Sequence, residues 1–250
     1  MEYPREITAF QAGSILISTI IGVGVLPLPL FAVRYADSGA PFVTLLAVMV
    51  AFIGLWVITK LGMRFPDQSI IRYSERILGK WISRLYGFSI LVFFMVLTAL
   101  ASREFGEVVL TAILKETPLE VTVIVMLLMA AIFTRNDFNT FAYIQSFYVP
   151  IILAPGLIIV AVSLKNSNVL YLQPIFGNES DGMIIGVLTV AALFQGSFII
   201  TMVIPEMREP EKAMKASIWS VVISGGLYLM IVVASVSVFG PEEIKNLLWP

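Results

Sequence analysis

Long apolar runs alternate with short polar segments along this chain, a pattern that predicts a bundle of membrane-spanning helices. About 20 apolar residues are enough to cross the roughly 30 Å of hydrocarbon in a bilayer. Seven runs meet this length or come close to it. We place the predicted spans at about residues 8–32, 42–61, 85–107, 119–134, 143–164, 182–204 and 216–239, with the third helix extending towards residue 114.

Interruptions within two of these spans suggest a binding site inside the membrane. Span 1 contains Gly22, Gly24, Pro27 and Pro29 near its centre, and glycine and proline both weaken a helix. Span 6 is interrupted at 194–198, where a glutamine, a glycine and a serine lie at mid-depth. Unpaired backbone groups inside lipid are tolerated only where they face protein or a cavity. Taken alone, each break is as consistent with tight helix packing as with ligand binding.

The positions of the two breaks indicate an inverted repeat. Gly24 and Gly196 are 172 residues apart, and the starts of their spans are separated by five spans. An odd number of spans turns the second unit upside down, as in transporters with a site at the membrane midplane. Within a single transmembrane domain over 1–250, we predict a five-helix repeat at 8–164 and the start of its inverted copy at 182–250. Two such repeats imply ten helices in about 340 residues, so we expect a fragment, with a native seven-helix protein as the alternative.

Composition supports an all-α polytopic membrane protein and argues against several functions. Hydrophobic residues make up 58% of the chain and charged residues 13%, which is too apolar for a soluble domain. The apolar runs are continuous, whereas the strands of a transmembrane barrel alternate. The chain has no cysteine or histidine, so we expect no disulfide, no thiolate or imidazole metal site, and no cofactor. No nucleophile lies beside a credible base, and the basic cluster lies against the membrane, so neither catalysis nor nucleic-acid binding is expected.

The distribution of basic residues predicts a cytoplasmic N-terminus. In that orientation eleven of the 16 lysines and arginines face the cytoplasm, four face the outside, and Arg103 lies within span 3. The inner residues are Arg5, Lys60, Arg64, Arg72, Arg76, Lys80, Arg84, Arg135, Arg208, Lys212 and Lys215, and the outer ones are Arg34, Lys115, Lys165 and Lys245. The segment before span 1 contains Glu2 and Glu6 and no cleavage site, so we expect it to be retained rather than removed as a signal peptide.

The loop after span 2 carries most of the inner charge. Apolar residues recur at helical spacing over 68–84, with Arg72, Glu75, Arg76 and Lys80 between them. This pattern predicts a short amphipathic helix on the inner membrane face.

Three shorter motifs mark other positions along the chain. Thr117, Pro118 and Glu120 predict a capping box at the start of span 4. Pro150 and Pro155 predict kinks in span 5. The tripeptide Asn178-Glu179-Ser180 matches a glycosylation sequon, although matches of this length are common by chance.

Span 1 resembles the broken first helix of the amino acid/polyamine/organocation superfamily, which has the LeuT-type fold, in the stretch Ile21-Gly22-Val23-Gly24-Val25-Leu26-Pro27-Leu28-Pro29. The whole chain is similar to the GerAB-like B subunits of spore germinant receptors. The supporting stretches are Arg103-Glu104-Phe105-Gly106-Glu107, then Leu114 and Thr117-Pro118, and Pro205-Glu206-Met207 followed by Lys212 and Lys215. The resemblance implies a LeuT-type inverted-repeat fold, of which seven of about ten helices are present. It also implies a subunit in the inner membrane of a dormant bacterial spore that recognises a small nutrient, often an amino acid, together with A and C partner subunits.

The two breaks supply most of the candidate ligand-binding residues. These residues are Gly22, Val23, Gly24, Phe194, Gln195, Gly196, Ser197 and Phe198. We predict that the span 1 residues donate backbone N–H groups to a ligand carboxylate, and that the span 6 glutamine, glycine and serine hold the ligand amine through oxygen atoms. The two phenylalanines are candidate apolar gates, with packing against protein or lipid as the alternative.

Span 3 contributes two further candidate features. Thr98 lies near mid-depth and is a candidate pocket residue, although its hydroxyl could instead bond back to its own helix. Arg103, Glu104 and Glu107 are the densest charges on any span. They are candidates for a gate or ion path, with an ion pair at the membrane interface as the alternative.

Two functions remain open from the sequence. The first is a germinant-receptor subunit that binds an amino acid at the midplane and gates ion release. The alternative is a secondary amino acid transporter coupled to H⁺ or Na⁺, because one fold supports both activities.

Overall fold

A computed structural model describes residues 6–177 and 182–247, and the regular structure in these ranges is helical. The α-helices are α1 (Ala9–Ile20), α2 (Leu28–Ala36), α3 (Ala40–Arg64), α4 (Ile70–Leu78), α5 (Lys80–Ala112), α6 (Leu119–Phe133), α7 (Phe138–Ser163), α8 (Met183–Ala192), α9 (Ile200–Val203), α10 (Ala213–Phe239) and α11 (Pro241–Ile244). Short 3₁₀ turns lie at Val23–Val25, Asp37–Gly39, Leu164–Asn166, Val169–Leu172, Gln195–Ile199, Ile204–Glu206 and Pro210–Lys212. The sequon at Asn178 lies outside the described residues.

Several helical stretches are suited to a membrane, as the hydrophobic pattern predicts. Within the described residues, four are long and apolar enough to cross it, namely Leu28–Arg64, Lys80–Ala112, Phe138–Asn166 and Pro210–Phe239. A fifth results if α8 and Gln195–Glu206, which meet at a 45° bend, form one span. α1 and α6 are shorter, with 12 and 15 residues. Helices therefore occupy all seven predicted positions and the chain is a membrane protein, while the count of seven spans stays a prediction.

The described residues divide into two compact units. The first is built from Met1–Arg64 and Ala142–Pro250, and the second from Phe65–Phe141. The first unit contains both helix breaks, and the second contains α4, α5 and α6.

α10 is the central helix of the first unit and packs against α1 and α3. Its contact face carries small residues, which let helices approach closely. A Cβ added to Gly13 of α1 would lie 3.8 Å from the Ala216 carbonyl oxygen. Thr59 of α3 and Ser217 share a buried hydrogen bond of 2.9 Å. These contacts hold α1, and the break at its end, beside α10.

Two further connections fix the ends of the broken spans within the first unit. The Ile7 N–H donates to the Glu206 carbonyl at 3.2 Å, and the Arg208 N–H donates to the Ile7 carbonyl at 2.9 Å. Lys245 forms an ion pair with Asp37 at the end of α2. The hydrogen-bonded Asp37 carboxylate raises the pKa of Lys245 above its ordinary value.

In the second unit, α4 folds back against α5. Gly79 has a φ of 84°, which ends α4 and starts α5 one residue later. The hydroxyls of Ser74 and Ser83 bond to each other, and the Ile71 side chain would lie 3.6 Å from a Cβ at Gly87. Small residues therefore line this contact as well.

The amphipathic helix predicted over 68–84 is shorter than expected. Its first part forms α4, but Lys80 and Arg84 belong to α5. The reason is the positive φ at Gly79, which interrupts the helix in the middle of the pattern.

The capping box predicted at the start of span 4 is wrong. α6 begins at Leu119, so Pro118 occupies the cap position itself and makes no side-chain hydrogen bond. Thr117 lies one residue too early to cap the helix. Pro150 and Pro155 lie inside α7, which runs through both without a break.

Candidate functional site

The first break follows directly from the glycines and prolines of span 1. α1 ends at Ile20, a 3₁₀ turn follows at Val23–Val25, and α2 starts after Pro27. Inside the break, the Gly22 N–H donates to the Ile20 carbonyl at 2.9 Å, and the Val25 N–H donates to the Gly22 carbonyl at 3.2 Å. The α-helical hydrogen-bond pattern is therefore interrupted at the break and resumes at α2.

The second break replaces α-helical bonding with tighter i to i+3 bonding. The Leu193 N–H donates to the Val190 carbonyl at 3.1 Å, and the Ser197 N–H donates to the Phe194 carbonyl at 2.9 Å. Ser197 is buried, whereas the neighbouring Gln195 and Gly196 are half-buried. The structure therefore has an interrupted helix at each of the two positions that the sequence indicates.

The two breaks touch each other within the first unit. A Cβ on Gly196 would lie 2.6 Å from the Thr19 carbonyl oxygen, at the end of α1. A Cβ on Gly24 would lie 3.1 Å from a methyl group of Leu193. The backbone of the second break can approach α1 this closely only because residue 196 has no side chain.

Tyr228 of α10 adds a third helix to this region, and sequence reasoning missed it. Its side chain is fully buried, and its hydroxyl donates a hydrogen bond to the Ile20 carbonyl at the end of α1. Its ring meets that of Phe194 edge to face, with 5.2 Å between centroids. The available signal was a phenol in the middle of an apolar span, since a buried tyrosine hydroxyl usually has a partner.

The ends of α1 and α2 give the first break an uneven distribution of charge. α1 presents its carbonyl end there, which carries partial negative charge, and α2 presents its N–H end, which carries partial positive charge. Pro27 provides no side-chain cap for α2. A zwitterionic amino acid carries the complementary charges on its ammonium and carboxylate groups.

Hydroxyl groups along α1 are occupied by their own helix. The Ser14 hydroxyl donates to the Phe10 carbonyl at 3.0 Å, and the Ser18 hydroxyl donates to the Ser14 carbonyl at 2.8 Å. Thr19 donates in the same way to the Ile15 carbonyl. Backbone groups of the break are therefore better candidates for ligand contacts than these side chains.

The other predicted site residues lie in the second unit. Thr98 is exposed, and its hydroxyl donates to the Phe94 carbonyl at 2.7 Å, as the alternative for this residue predicts. Arg103 and Glu107 form an ion pair of 2.9 Å, one helical turn apart, with side chains 71% and 44% exposed. Glu104 is half-buried beside them. This geometry is that of a surface ion pair, and a role as gate or ion path stays a prediction.

A separate groove of about 420 Å³ lies between α3 and α10. It is lined by Val48, Met49, Phe52, Ile53, Val221, Val222 and Gly226. This lining has no polar side chain that could orient an amino acid, and ligand pockets usually combine apolar walls with a few polar groups. We therefore assign the candidate site to the two breaks rather than to this groove.

Metal chemistry has no candidate centre in the part of the chain that the structure describes. No group of three or more histidine, cysteine, aspartate or glutamate side chains there could hold a metal ion.

A family profile described as "Spore germination protein" matches residues 6–250. The chain is 25% identical to "Spore germination protein YndE" of Bacillus subtilis (strain 168) over 246 residues, which cover 98% of this chain and 68% of that protein. It is also 25% identical to "Spore germination protein A2" of the same organism, over 99% of this chain and 68% of the relative. A third relative is "Spore germination protein GerLB" of Bacillus cereus, at 25% identity over 98% of this chain and 67% of its own length.

Proposed function

This chain belongs to the spore germination protein family, and we propose that it is the membrane subunit of a nutrient germinant receptor. In this proposal it lies in the inner membrane of the spore with its N-terminus in the cytoplasm. It binds a small germinant, an amino acid, at the two helix breaks and works with A and C partner subunits. Binding gates the release of ions. The observation that supports this most is the contact between two interrupted helices in a member of this family.

The first break would hold the carboxylate of the amino acid. The Gly22 N–H already donates to the Ile20 carbonyl, so we assign the carboxylate to the other backbone N–H groups of the break, at Val23 and Gly24, and to those at the start of α2. These N–H groups lie at the positive end of a helix, which favours an anion.

The second break would hold the ammonium group together with the carbonyl end of α1, which carries partial negative charge. Carbonyl oxygens of Gln195, Gly196 and Ser197, with the side-chain oxygens of the first and last, can accept its hydrogen bonds. Phe194 and Phe198 would close the apolar side of the site. Phe194 is 3% exposed, which suits a residue packed over a small ligand.

An amino acid transporter coupled to H⁺ or Na⁺ is the alternative, because the same pair of broken helices would serve transport. The receptor is favoured because the relatives that cover nearly all of this chain are named as spore germination proteins. These names describe no enzyme, which agrees with a binding protein.

A liposome experiment separates receptor from transporter. The protein is reconstituted in sealed vesicles, with and without its candidate partner subunits, and each of the common amino acids is added while ion efflux and labelled uptake are followed. We expect one or a few amino acids to trigger ion efflux without accumulating inside. The side chain of valine at residue 196 would collide with the Thr19 carbonyl, so Gly196→Val should abolish this response.

Gly226→Ala provides the matched control, because a Cβ at Gly226 has no atom within 4 Å. This variant should respond like the wild type. Accumulation of the amino acid against its gradient would instead identify a transporter. The absence of any response with partner subunits present would contradict both functions.

A further inference from the structure

The Ile20 carbonyl oxygen at the end of α1 is fully used by the protein itself. It accepts one hydrogen bond from the Gly22 N–H at 2.9 Å and another from the Tyr228 hydroxyl. A carbonyl oxygen has two lone pairs and so accepts two good hydrogen bonds. An ammonium group that uses this carbonyl must therefore displace one of the two donors.

The two donors differ in how easily they can leave. The Gly22 N–H belongs to a backbone turn that is closed again by the Val25 N–H, so it can move only if the break itself unwinds. The Tyr228 hydroxyl comes from another helix, 208 residues away in sequence. A hydroxyl also rotates about its C–O bond and can turn to a new acceptor. Breaking the hydrogen bond from Tyr228 therefore requires less free energy than breaking the one from Gly22.

Tyr228 also connects the two breaks. Its hydroxyl binds the carbonyl at the first break, and its ring touches Phe194, which directly precedes the turn Gln195–Ile199 of the second. The side chain is fully buried among these elements. A change in the position of the Tyr228 side chain would therefore alter contacts at both breaks.

We propose that Tyr228 is a latch on the amino acid site. Its hydroxyl donates a hydrogen bond to the Ile20 carbonyl, and this bond must break when the ammonium group of an amino acid binds there. The latch lowers the affinity of the site, and its release reports occupancy to α10 and to the second break. This inference rests on the proposed function, from which it takes the ligand.

Affinity measurements on Tyr228→Phe test the competition. The change removes the hydroxyl and keeps the ring that packs against Phe194. Because the hydrogen bond between the Tyr228 hydroxyl and the Ile20 carbonyl no longer has to be broken, we expect the amino acid to bind about two- to thirteenfold more tightly. Tyr143→Phe is the control, since Tyr143 lies on α7 and is 67% exposed. It should leave the affinity unchanged.

Thiol labelling tests the latch without any ligand. The chain has no cysteine, so a single Gly22→Cys change gives one reactive site, and a Cβ there would have only the Thr19 oxygen near it, at 3.9 Å. Gly22 bonds to the same carbonyl as Tyr228. We expect Tyr228→Phe to increase the rate of maleimide labelling at this site about threefold or more, and Tyr143→Phe to have no effect.

The outcomes separate this inference from the proposed function. Tighter binding and faster labelling in Tyr228→Phe support the latch. Unchanged affinity with unchanged labelling would make Tyr228 a packing residue, and weaker binding would make its hydroxyl a direct ligand contact, so either result overturns the latch. If the wild type binds no amino acid, the proposed function fails, and the labelling rates still decide whether Tyr228 holds the first break closed.

Discussion

Gly196 is the residue at which the second break comes closest to α1. A Cβ at this position would lie 2.6 Å from the Thr19 carbonyl oxygen and 2.9 Å from its methyl group. The oxygen belongs to the backbone of α1 and cannot turn aside as the end of a side chain can. Gly62 offers a contrast, because the atom 2.6 Å from its Cβ position is the terminal methyl of Ile204, which can change rotamer.

Gly196→Ala should therefore destabilise the protein strongly, although it adds only one methyl group. We expect the free energy of unfolding to fall by about 1–3 kcal/mol, the usual cost of overpacking. Gly226→Ala is the control and should change it by less than about 0.5 kcal/mol, because nothing lies within 4 Å of that Cβ position. Thermal unfolding in detergent measures both. Equal midpoints for the two variants would show that the breaks do not pack as described.

α4 is an element whose two faces differ sharply. Ile70 and Tyr73 are buried, and burial raises the pKa of Tyr73 to about 12, so its phenol stays neutral. Arg72 and Arg76 lie one turn apart on the exposed face. A helix of this kind rests in the interface of a membrane, where basic side chains attract anionic lipid headgroups.

The double change Arg72→Gln and Arg76→Gln should weaken this attraction. Adding phosphatidylglycerol should raise the unfolding temperature of the wild type at low salt. The double variant should lose about 2 kcal/mol of that lipid stabilisation, at about 1 kcal/mol for each basic residue. Lys165→Gln, on a loop predicted to lie outside, is the control for loss of charge. If phosphatidylglycerol raised the unfolding temperature equally in the wild type and both variants, an interfacial role for α4 would be contradicted.

The sequence predicts the positions of the helices in this protein better than it predicts the contacts between them. Lipid imposes long apolar runs, so the helices lie where hydropathy predicts them, and the glycines and prolines of span 1 mark its break. The end of α4 depends on one positive φ at Gly79. Thr8 and Gln11 form a capping box at the start of α1, and it was not predicted although the motif is present in the sequence. The Tyr228–Ile20 hydrogen bond could not be derived, because it joins residues 208 apart that only the packing of α1 on α10 brings together.

At the scale of the whole molecule, the family and the geometry support the same account. The chain spans about two thirds of the length of the relatives it matches, for example 68% of "Spore germination protein YndE". The described first unit contains both broken helices and the tyrosine that joins them. The inverted repeat and the LeuT-type fold stay predictions from the sequence.

The most direct test of the central claim is to locate the bound amino acid. A photoreactive amino acid that triggers the liposome response would be cross-linked to the protein, and mass spectrometry would identify the modified residues. The account predicts attachment at residues 19–25 and 193–199, suppressed by an excess of the unmodified amino acid. Specific attachment to the apolar groove between α3 and α10, at Val48 to Ile53, would contradict it.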